Sequence, residues 1–279
     1  MLWIALDGAV NVRDVGGMPT GDGSVTAEKR LLRADNLQGL SGQDVSRLVE
    51  EFGLTRVVDL RSVAEVTSEG PGPLAAVASV EHVHHSVIPV DVDKRWTNTR
   101  PKKTDPQSSE FLDRGSAAVV SEVLLARRER FDAENPDDVV SGHYLGYLED
   151  RPDSVVAALR AIAGTSGAAL VHCAAGKDRT GVIVALALLA VGVERDAVVA
   201  DYAATAERIG AILARLRSSV TYATGVNQVS DEQHTPRASG MERFLAQVDS
   251  RYGGVVSWLA DRGFGEADIA LLRHKLLAV

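Results

Sequence analysis

Cysteine is almost missing from this chain. Its 279 residues contain one, Cys173, which excludes an internal disulfide framework and fits a reducing compartment. Positive charge is also in deficit, with 30 Lys and Arg against 38 Asp and Glu and a net charge of −8. That balance argues against nucleic acid as a partner, because binding a phosphate backbone needs clustered cations. Long apolar runs are absent too. The longest, Val182 to Val193, falls short of the roughly 20 residues that cross a bilayer and reads as a core helix. The opening Met1-Leu2-Trp3-Ile4-Ala5-Leu6-Asp7 has neither the basic start nor the apolar length of a signal peptide. The expectation is a soluble, cytoplasmic protein without stable membrane insertion, with export by a route that uses no such peptide left open. No repeat or low-complexity tract appears, and the length suits one large domain or two small ones.

The most informative stretch is Val171-His172-Cys173-Ala174-Ala175-Gly176-Lys177-Asp178-Arg179-Thr180-Gly181. A strand-like run, Ala168 to Val171, leads in, and the helix-like run Val182 to Leu189 leads out. A short loop between a buried strand and a helix N-terminus suits a tetrahedral oxyanion, on which backbone N–H groups and the first helical turn converge. The same field favours the thiolate of a cysteine held there, and the thiolate is the form that attacks. Arg179 can grip two oxygens with its planar fork, which a lysine cannot do.

This stretch resembles the His-Cys-x5-Arg-Ser/Thr signature of the cysteine-dependent protein tyrosine phosphatase superfamily. Its Gly-Lys-Asp-Arg-Thr-Gly ending is similar to a branch of bacterial tyrosine and dual-specificity phosphatases, some also active on phosphoinositides, that includes secreted mycobacterial enzymes. Asn11-Val12-Arg13-Asp14-Val15-Gly16-Gly17 resembles that branch's Asn-Phe-Arg-Asp-Leu-Gly-Gly opening, and Val57-Val58-Asp59-Leu60-Arg61-Ser62 its Asp-Leu-Arg-Ser segment. The three matches fall in the right order over about two thirds of the chain. The resemblance implies an α/β fold, with a central, mostly parallel sheet flanked by helices, in a single domain over residues 1–279. A mycobacterial member of the branch carries a helical lid built from this part of the chain, so residues 204–240 are expected to form or hinge a lid. Residues 241–279 are expected to pack as C-terminal helices.

Along the chain, Gly21-Asp22-Gly23 marks a hairpin turn. Arg13, Asp14, Arg33 and Asp35 read either as structural ion pairs or as support behind the cysteine loop, and the resemblance to the Asn-x-Arg-Asp opening favours the second. Ser41 predicts an N-cap for a helix over 42–52 that Gly53 ends, and Leu54 to Leu60 a strand. Asp59 and Arg61 then lie at a strand's carboxyl end, where open α/β sheets bind ligands. Arg61 is a candidate for the substrate mouth or a partner of Asp59 or Glu65. Val80 to Val90 reads as a strand holding His82, His84 and His85. A metal would need further ligands at suitable spacing, and none is evident. Lys94, Arg95, Arg100, Lys102 and Lys103 around Trp96 form a basic patch, either a solvated loop or a guide for an anionic substrate. A helix is expected over 109–133 and a helix pair over 142–163. Asp196 is expected to cap a further helix, whose stripe of Val199, Tyr202, Ile209, Ile212, Leu213 and Leu216 reads as core. Thr221 to Gly240 lacks periodicity and reads as a mobile loop. Helices are expected over 243–252, 255–262 and 266–277.

The chemistry implied is two-step hydrolysis of a phosphate monoester through a cysteinyl-phosphate, with phosphotyrosine, phosphoserine or phosphothreonine on a protein, or a phosphoinositide, as substrate. Cys173 attacks, and Arg179 and the backbone of Ala174, Ala175, Gly176, Lys177, Asp178 and Arg179 hold the phosphoryl oxygens. His172 orients the loop and Thr180 is placed to hydrogen-bond the sulfur. No metal or other cofactor is needed. The general acid is Asp178, expected to be pushed toward its protonated form beside bound phosphate. Asp137 or Asp138 is the next candidate, with Asp59 outside them. Lys177 reads as a solvated charge or a contact to phosphate. A nucleoside-triphosphate P-loop is excluded, since Val171 stands where its first glycine belongs and Asp178 where it needs Ser or Thr. A rhodanese-type sulfur transferase leaves Arg179-Thr180-Gly181 unexplained. A non-catalytic phosphate-binding module is the rival from another class. The oligomeric state is not legible.

Overall fold

The computed structural model describes residues 1–88 and 138–278. Six strands form one mixed sheet: β1 (Leu2–Trp3), β2 (Arg13–Asp14), β3 (Leu31–Ala34), β4 (Leu54–Asp59), β5 (Glu81–His84) and β6 (Ala168–His172). Their order across the sheet is β1-β2-β3-β6-β4-β5. The first three pair antiparallel and the last four run parallel. This is the mostly parallel α/β architecture that the sequence implies.

β6 sits in the middle because it can. All five of its residues are buried, as a strand flanked by two others and covered on both faces requires. Alternate side chains enter different cores. Ala169 and Val171 join the larger apolar cluster, and Ala168 and Leu170 the smaller one. The larger core is covered by α3 (Val139–Asp150), α4 (Pro152–Ala163), α5 (Asp178–Ala190) and α6 (Arg195–Ala204). The last helices, α10 (Ala238–Tyr252), α11 (Val255–Ala260) and α12 (Glu266–Leu276), also pack there. α5 is apolar all round, and Val182, Ile183, Val184, Leu186 and Leu188 are each 1 % exposed or less. At about 1.5–3 kcal/mol per fully buried aliphatic side chain, this helix is pinned to the sheet by its composition. The smaller core packs under α1 (Gly42–Ser46), which Ser41 and Asp44 close with a capping box. The chain continues as a π-helical turn over Arg47–Glu51 and turns at Gly53, whose φ is +63°. α2 (Val63–Glu69) follows β4.

Several boundaries differ from expectation. β5 covers only Glu81–His84, the chain leaving the sheet after His84. The N-cap of α6 is Glu194, and Asp196 lies inside its first turn. The stripe after it divides between two bodies. Val199 and Tyr202 enter the main core. A 3-10 turn over Thr205–Arg208 then redirects the chain, and α7 (Ile209–Ser218) sends Ile212, Leu213 and Leu216 into a third cluster with Ala174, Tyr222 and Val226. The stretch expected as a loop contains two one-turn helices, α8 (Ala223–Val226) and α9 (Asp231–His234). Each is too short to show helical periodicity in the sequence. The basic patch around Trp96, the helix expected over 109–133 and Asp137 lie outside the described residues. No described helix is long and apolar enough to cross a membrane.

Candidate active site

Parallel pairing of β3, β6 and β4 brings three carboxyl ends to one edge of the sheet. Asp35 follows β3, Cys173 follows β6, and Arg61 lies two residues past β4. Between Cys173 and the start of α5 the chain makes a tight loop, three of whose carbonyls are held from outside. Asn36 N donates to Ala174 O at 2.9 Å. Asn11 Nδ2 donates to Ala175 O at 2.9 Å and Arg33 Nη2 to Gly176 O at 2.7 Å. In a trans peptide the N–H points opposite the C=O. Three carbonyls fixed outward therefore turn the N–H groups of Ala175, Gly176 and Lys177 inward, over the mouth of α5. Gly176 has φ +65°, and a Cβ there would lie 2.4 Å from Ala34 O. Only glycine lets the loop press so closely on β3.

The groups that anchor this loop form one buried network. Arg13 donates to Asn11 Oδ1 at 2.6 Å, to Asp201 Oδ1 at 2.8 Å and to Asp201 O at 2.7 Å. Arg33 donates to Asp201 Oδ2. Both arginines are fully buried, and they share the single carboxylate of Asp201. Burial and the neighbouring Arg33 lower Arg13 to about 10, where it is still charged at neutral pH. Asp35 caps the opposite side, accepting from Val10 N and Asn11 N, both at 3.0 Å. Asp14 is a local tie, accepting from Gly16 N at 2.9 Å and Lys29 N at 2.6 Å. Arg13 and Arg33 thus stand behind the loop, while Asp14 braces the hairpin.

Cys173 and Arg179 face one cavity of about 270 Å³. Arg179 forks onto Glu65, with Nη1 to Oε2 at 2.6 Å and Nη2 to Oε1 at 2.8 Å. Glu65 is fully buried and also closes the capping box of α2 through Ser62. Burial raises a carboxyl, but Arg179 outweighs it and holds Glu65 ionised. Asp178 opens α5. Its Oδ1 accepts from Tyr144 Oη at 2.6 Å, and its Oδ2 lies 3.6 Å from Lys177 Nζ. Burial pushes its carboxyl up, and Lys177 and Tyr144 together more than reverse that, so in the protein alone Asp178 is ionised. Any rise must come from a bound anion. Lys177 is no solvated charge, because its Nζ donates to His234 O at 2.8 Å and ties the loop to α9. Thr180 Oγ1 is buried with no hydrogen-bond partner among the described residues, so it makes no bond to the Cys173 sulfur here.

The other candidates sit further out. Asp59 and Arg61 pair with each other at 2.6 Å and neither lines the cavity. Arg61 therefore braces the end of β4 rather than the substrate mouth. Burial would raise Asp59, but His172 and Arg61 hold it well below the usual range, which leaves it no proton to donate. Burial lowers His172 to about 4, so it is neutral, with Nδ1 3.2 Å from Cys173 O and Nε2 3.6 Å from Asp59 Oδ1. Asp138 caps α3, and its Oδ1 accepts from Ser141 N at 3.4 Å and Arg243 Nε at 3.0 Å, away from the cavity. Of the three histidines, His84 Nε2 lies 2.7 Å from Arg61 O. No three His, Cys, Asp or Glu side chains among the described residues converge as a metal site.

The comparison with known families decides the assignment. A family model described as the tyrosine phosphatase family matches residues 4–278. The chain belongs to the tyrosine phosphatase family. This phosphatase is 28 % identical to the triple specificity protein phosphatase PtpB of Mycobacterium tuberculosis, over 98 % of each chain. It is 29 % identical to the "putative tyrosine-protein phosphatase" of Cupriavidus necator, over 99 % of this chain and 88 % of that one. A tyrosine-protein phosphatase of Nostoc commune matches at 26 % identity, over 68 % of this chain and 66 % of the other. The protein is a phosphatase, a hydrolase whose substrates are phosphorylated, with protein tyrosine phosphatase activity supported by its relatives.

Sequence reasoning missed Glu65, Tyr144, Tyr202 and Asp201 as parts of this phosphatase's site. Glu65 had a usable signal, since Ser62-x-x-Glu65 reads as a capping box. The others reach the site from distant parts of the chain and give no local sign.

Proposed function

We propose that the phosphatase hydrolyses phosphotyrosine on protein substrates through a cysteinyl-phosphate formed on Cys173. The observation that carries this is the loop with three carbonyls fixed outward around Cys173, with Arg179 facing the same cavity. A bound phosphoryl group would meet the loop N–H groups, the first turn of α5 and the Arg179 guanidinium together. The Cys173 thiolate attacks phosphorus in line with the leaving oxygen. Asp178 then protonates that oxygen and, in the second step, takes a proton from the attacking water.

Charge accounting supports this use of Asp178. The ion pairs around the loop hold Arg13, Arg33, Arg61, Lys177 and Arg179 against Asp59, Glu65, Asp178 and Asp201. They carry one excess positive charge, which a thiolate cancels. A phosphate dianion then leaves the site over-negative, and Asp178, beside it, is the carboxylate with a reason to take a proton.

The walls of the cavity favour an aromatic ester. Tyr144 and Tyr147 from α3 face Ile212, Leu213 and Tyr222 from the segment covering the loop. Residues 209–234 lie over the cavity, and we infer that they move as a lid to admit a protein side chain. The name of the mycobacterial relative supports testing a wider range of substrates.

The test is phosphate release from para-nitrophenyl phosphate with a chelator present, for the protein and Cys173→Ser. Activity that survives the chelator and disappears in the variant supports the reading. Activity lost to the chelator overturns it in favour of metal chemistry, and binding of vanadate without turnover in favour of a binding module. Phosphotyrosyl, phosphoseryl and phosphothreonyl peptides and phosphoinositide vesicles then rank the substrates. Brief peroxide treatment should remove most of the activity and dithiothreitol restore it, since a thiolate is oxidised readily. No second cysteine is present to form a protecting disulfide. A thiol inert to peroxide at neutral pH would count against an activated Cys173.

A further inference from the structure

We propose that Tyr144, backed by Tyr202, is a positioning residue for Asp178: it occupies Oδ1, so that Oδ2 alone carries the proton that the cavity uses. The proposal rests on the acid–base reading of Asp178 given above.

Proton accounting fixes the direction of this chain. Asp178 Oδ1 lies 2.6 Å from Tyr144 Oη, and Tyr144 Oη lies 2.7 Å from Tyr202 Oη. An ionised carboxylate can only accept, so Tyr144 gives its one proton to Asp178. Tyr202 must then donate to Tyr144. Both phenols are nearly inaccessible, at 1 % and 2 % exposed, and burial and Asp178 push both well above their usual range, so they stay protonated. The order Tyr202→Tyr144→Asp178 therefore persists across the working pH.

The frame around the chain is stiff. Tyr144 stacks on Tyr147, with centroids 6.2 Å apart, and takes Tyr202 and Phe244 edge-on at 6.1 and 5.7 Å. Tyr202 in turn fits against α5 because residue 181 is glycine, where a Cβ would lie 3.0 Å from its ring. A carboxylate with one oxygen clamped by a rigid phenol has lost rotation about its last bond. The groups facing Asp178 are Lys177 beside it, Tyr144 and His143 from α3, Tyr202 from α6 and Arg179 from its own helix. Of these, Tyr144 donates directly to the carboxylate, at Oδ1.

A donor to the charged form lowers a carboxyl. Removing the hydroxyl should therefore raise Asp178, prolong its protonated form to higher pH and free the carboxylate to turn. The experiment is the pH profile of kcat/KM for phenyl phosphate, which needs the acid, and for para-nitrophenyl phosphate, which needs it less. It is run on the wild type, Tyr144→Phe, Tyr202→Phe, Asp178→Asn and the double variant Tyr144→Phe/Asp178→Asn. In Tyr144→Phe the basic limb should move up by about one pH unit, the scale set by one hydrogen bond to a charged group. Phenyl phosphate turnover at the optimum should fall about ten-fold, with little change for the nitrophenyl ester. Tyr202→Phe, which leaves the Tyr144 hydroxyl in place, should move the limb the same way by less. In the Asp178→Asn background Tyr144→Phe should add nothing. A uniform loss on both esters with the limb unmoved would mean a packing role only and overturn the proposal. So would a limb that disappears in Asp178→Asn yet ignores both tyrosine changes. A limb that persists unchanged in Asp178→Asn would sink the acid–base reading itself, a different failure.

Discussion

Replacing Asp178 by alanine should cost about 10²–10⁴-fold in kcat/KM on phosphate esters with poor leaving groups, the range that general acid catalysis supplies. On para-nitrophenyl phosphate the loss should stay within about ten-fold, because nitrophenolate departs without a proton. The reason lies in the competition for this carboxylate. In the protein alone it is ionised, held so by Lys177 at 3.6 Å and Tyr144 at 2.6 Å against the burial that would raise it. Two further negative charges arriving on the neighbouring loop reverse that balance. The other carboxylates near the loop cannot substitute. Glu65 is clamped by Arg179 and Asp201 by Arg13 and Arg33, while Asp59 is held ionised by Arg61. The decisive measurement is the dependence of kcat/KM on leaving-group acidity across a series of aryl phosphates. The slope should steepen in Asp178→Ala. Parallel lines for variant and wild type, displaced equally at every leaving group, would show that Asp178 donates no proton and that the acid lies elsewhere.

What the sequence made readable was what is contiguous. Cys173, Arg179 and Asp178 fall within seven residues, bounded by a β6 buried on both faces and an α5 apolar all round, so strand, loop and helix follow from local pattern. The hairpin turn, the capped start of α1 and the helix pair α3–α4 were readable for the same reason. The rest depends on distance. Arg179 meets its partner Glu65 across 114 positions and Arg33 meets Asp201 across 168, and no periodicity reports such pairs. Aromatic residues make up only 5 % of the chain. Yet Tyr144, Tyr147 and Tyr222 line the cavity and Tyr202 backs it, a concentration that only the fold reveals. The covering segment misled for a physical reason. α8 and α9 are four residues each: α8 seats only Val226 in the cluster over the cavity, and α9, Asp231-Glu232-Gln233-His234, has no apolar residue and buries none. Short and barely seated, they read as loop.

The buried triad beneath the loop should separate stability from anion binding. Arg13 and Arg33 share one carboxylate, and all three side chains are 2 % exposed or less. Asp201→Ala leaves two buried cations without a counter-charge. Breaking a buried pair in this way costs about 3–5 kcal/mol, and at roughly 2–4 °C per kcal/mol for a domain of this size the midpoint of unfolding should fall by about 10 °C or more. Arg33→Met does the opposite arithmetic. It leaves Arg13 and Asp201 as a balanced pair and fills the space with an apolar chain of similar length, so the midpoint should move by only a few degrees, roughly 1–2 kcal/mol. Yet this milder change removes the donor to Gly176 O, made at 2.7 Å, and the excess positive charge below the loop. Inorganic phosphate and vanadate should then inhibit about ten-fold more weakly, the loss expected from one charge-assisted contact and its field in a buried site. Thermal unfolding and inhibition constants for the two variants test both halves. If Arg33→Met binds vanadate as tightly as the wild type, the triad serves folding alone. If instead Asp201→Ala unfolds at the wild-type temperature, Arg13 and Arg33 have another source of compensation, and the account of a shared carboxylate fails.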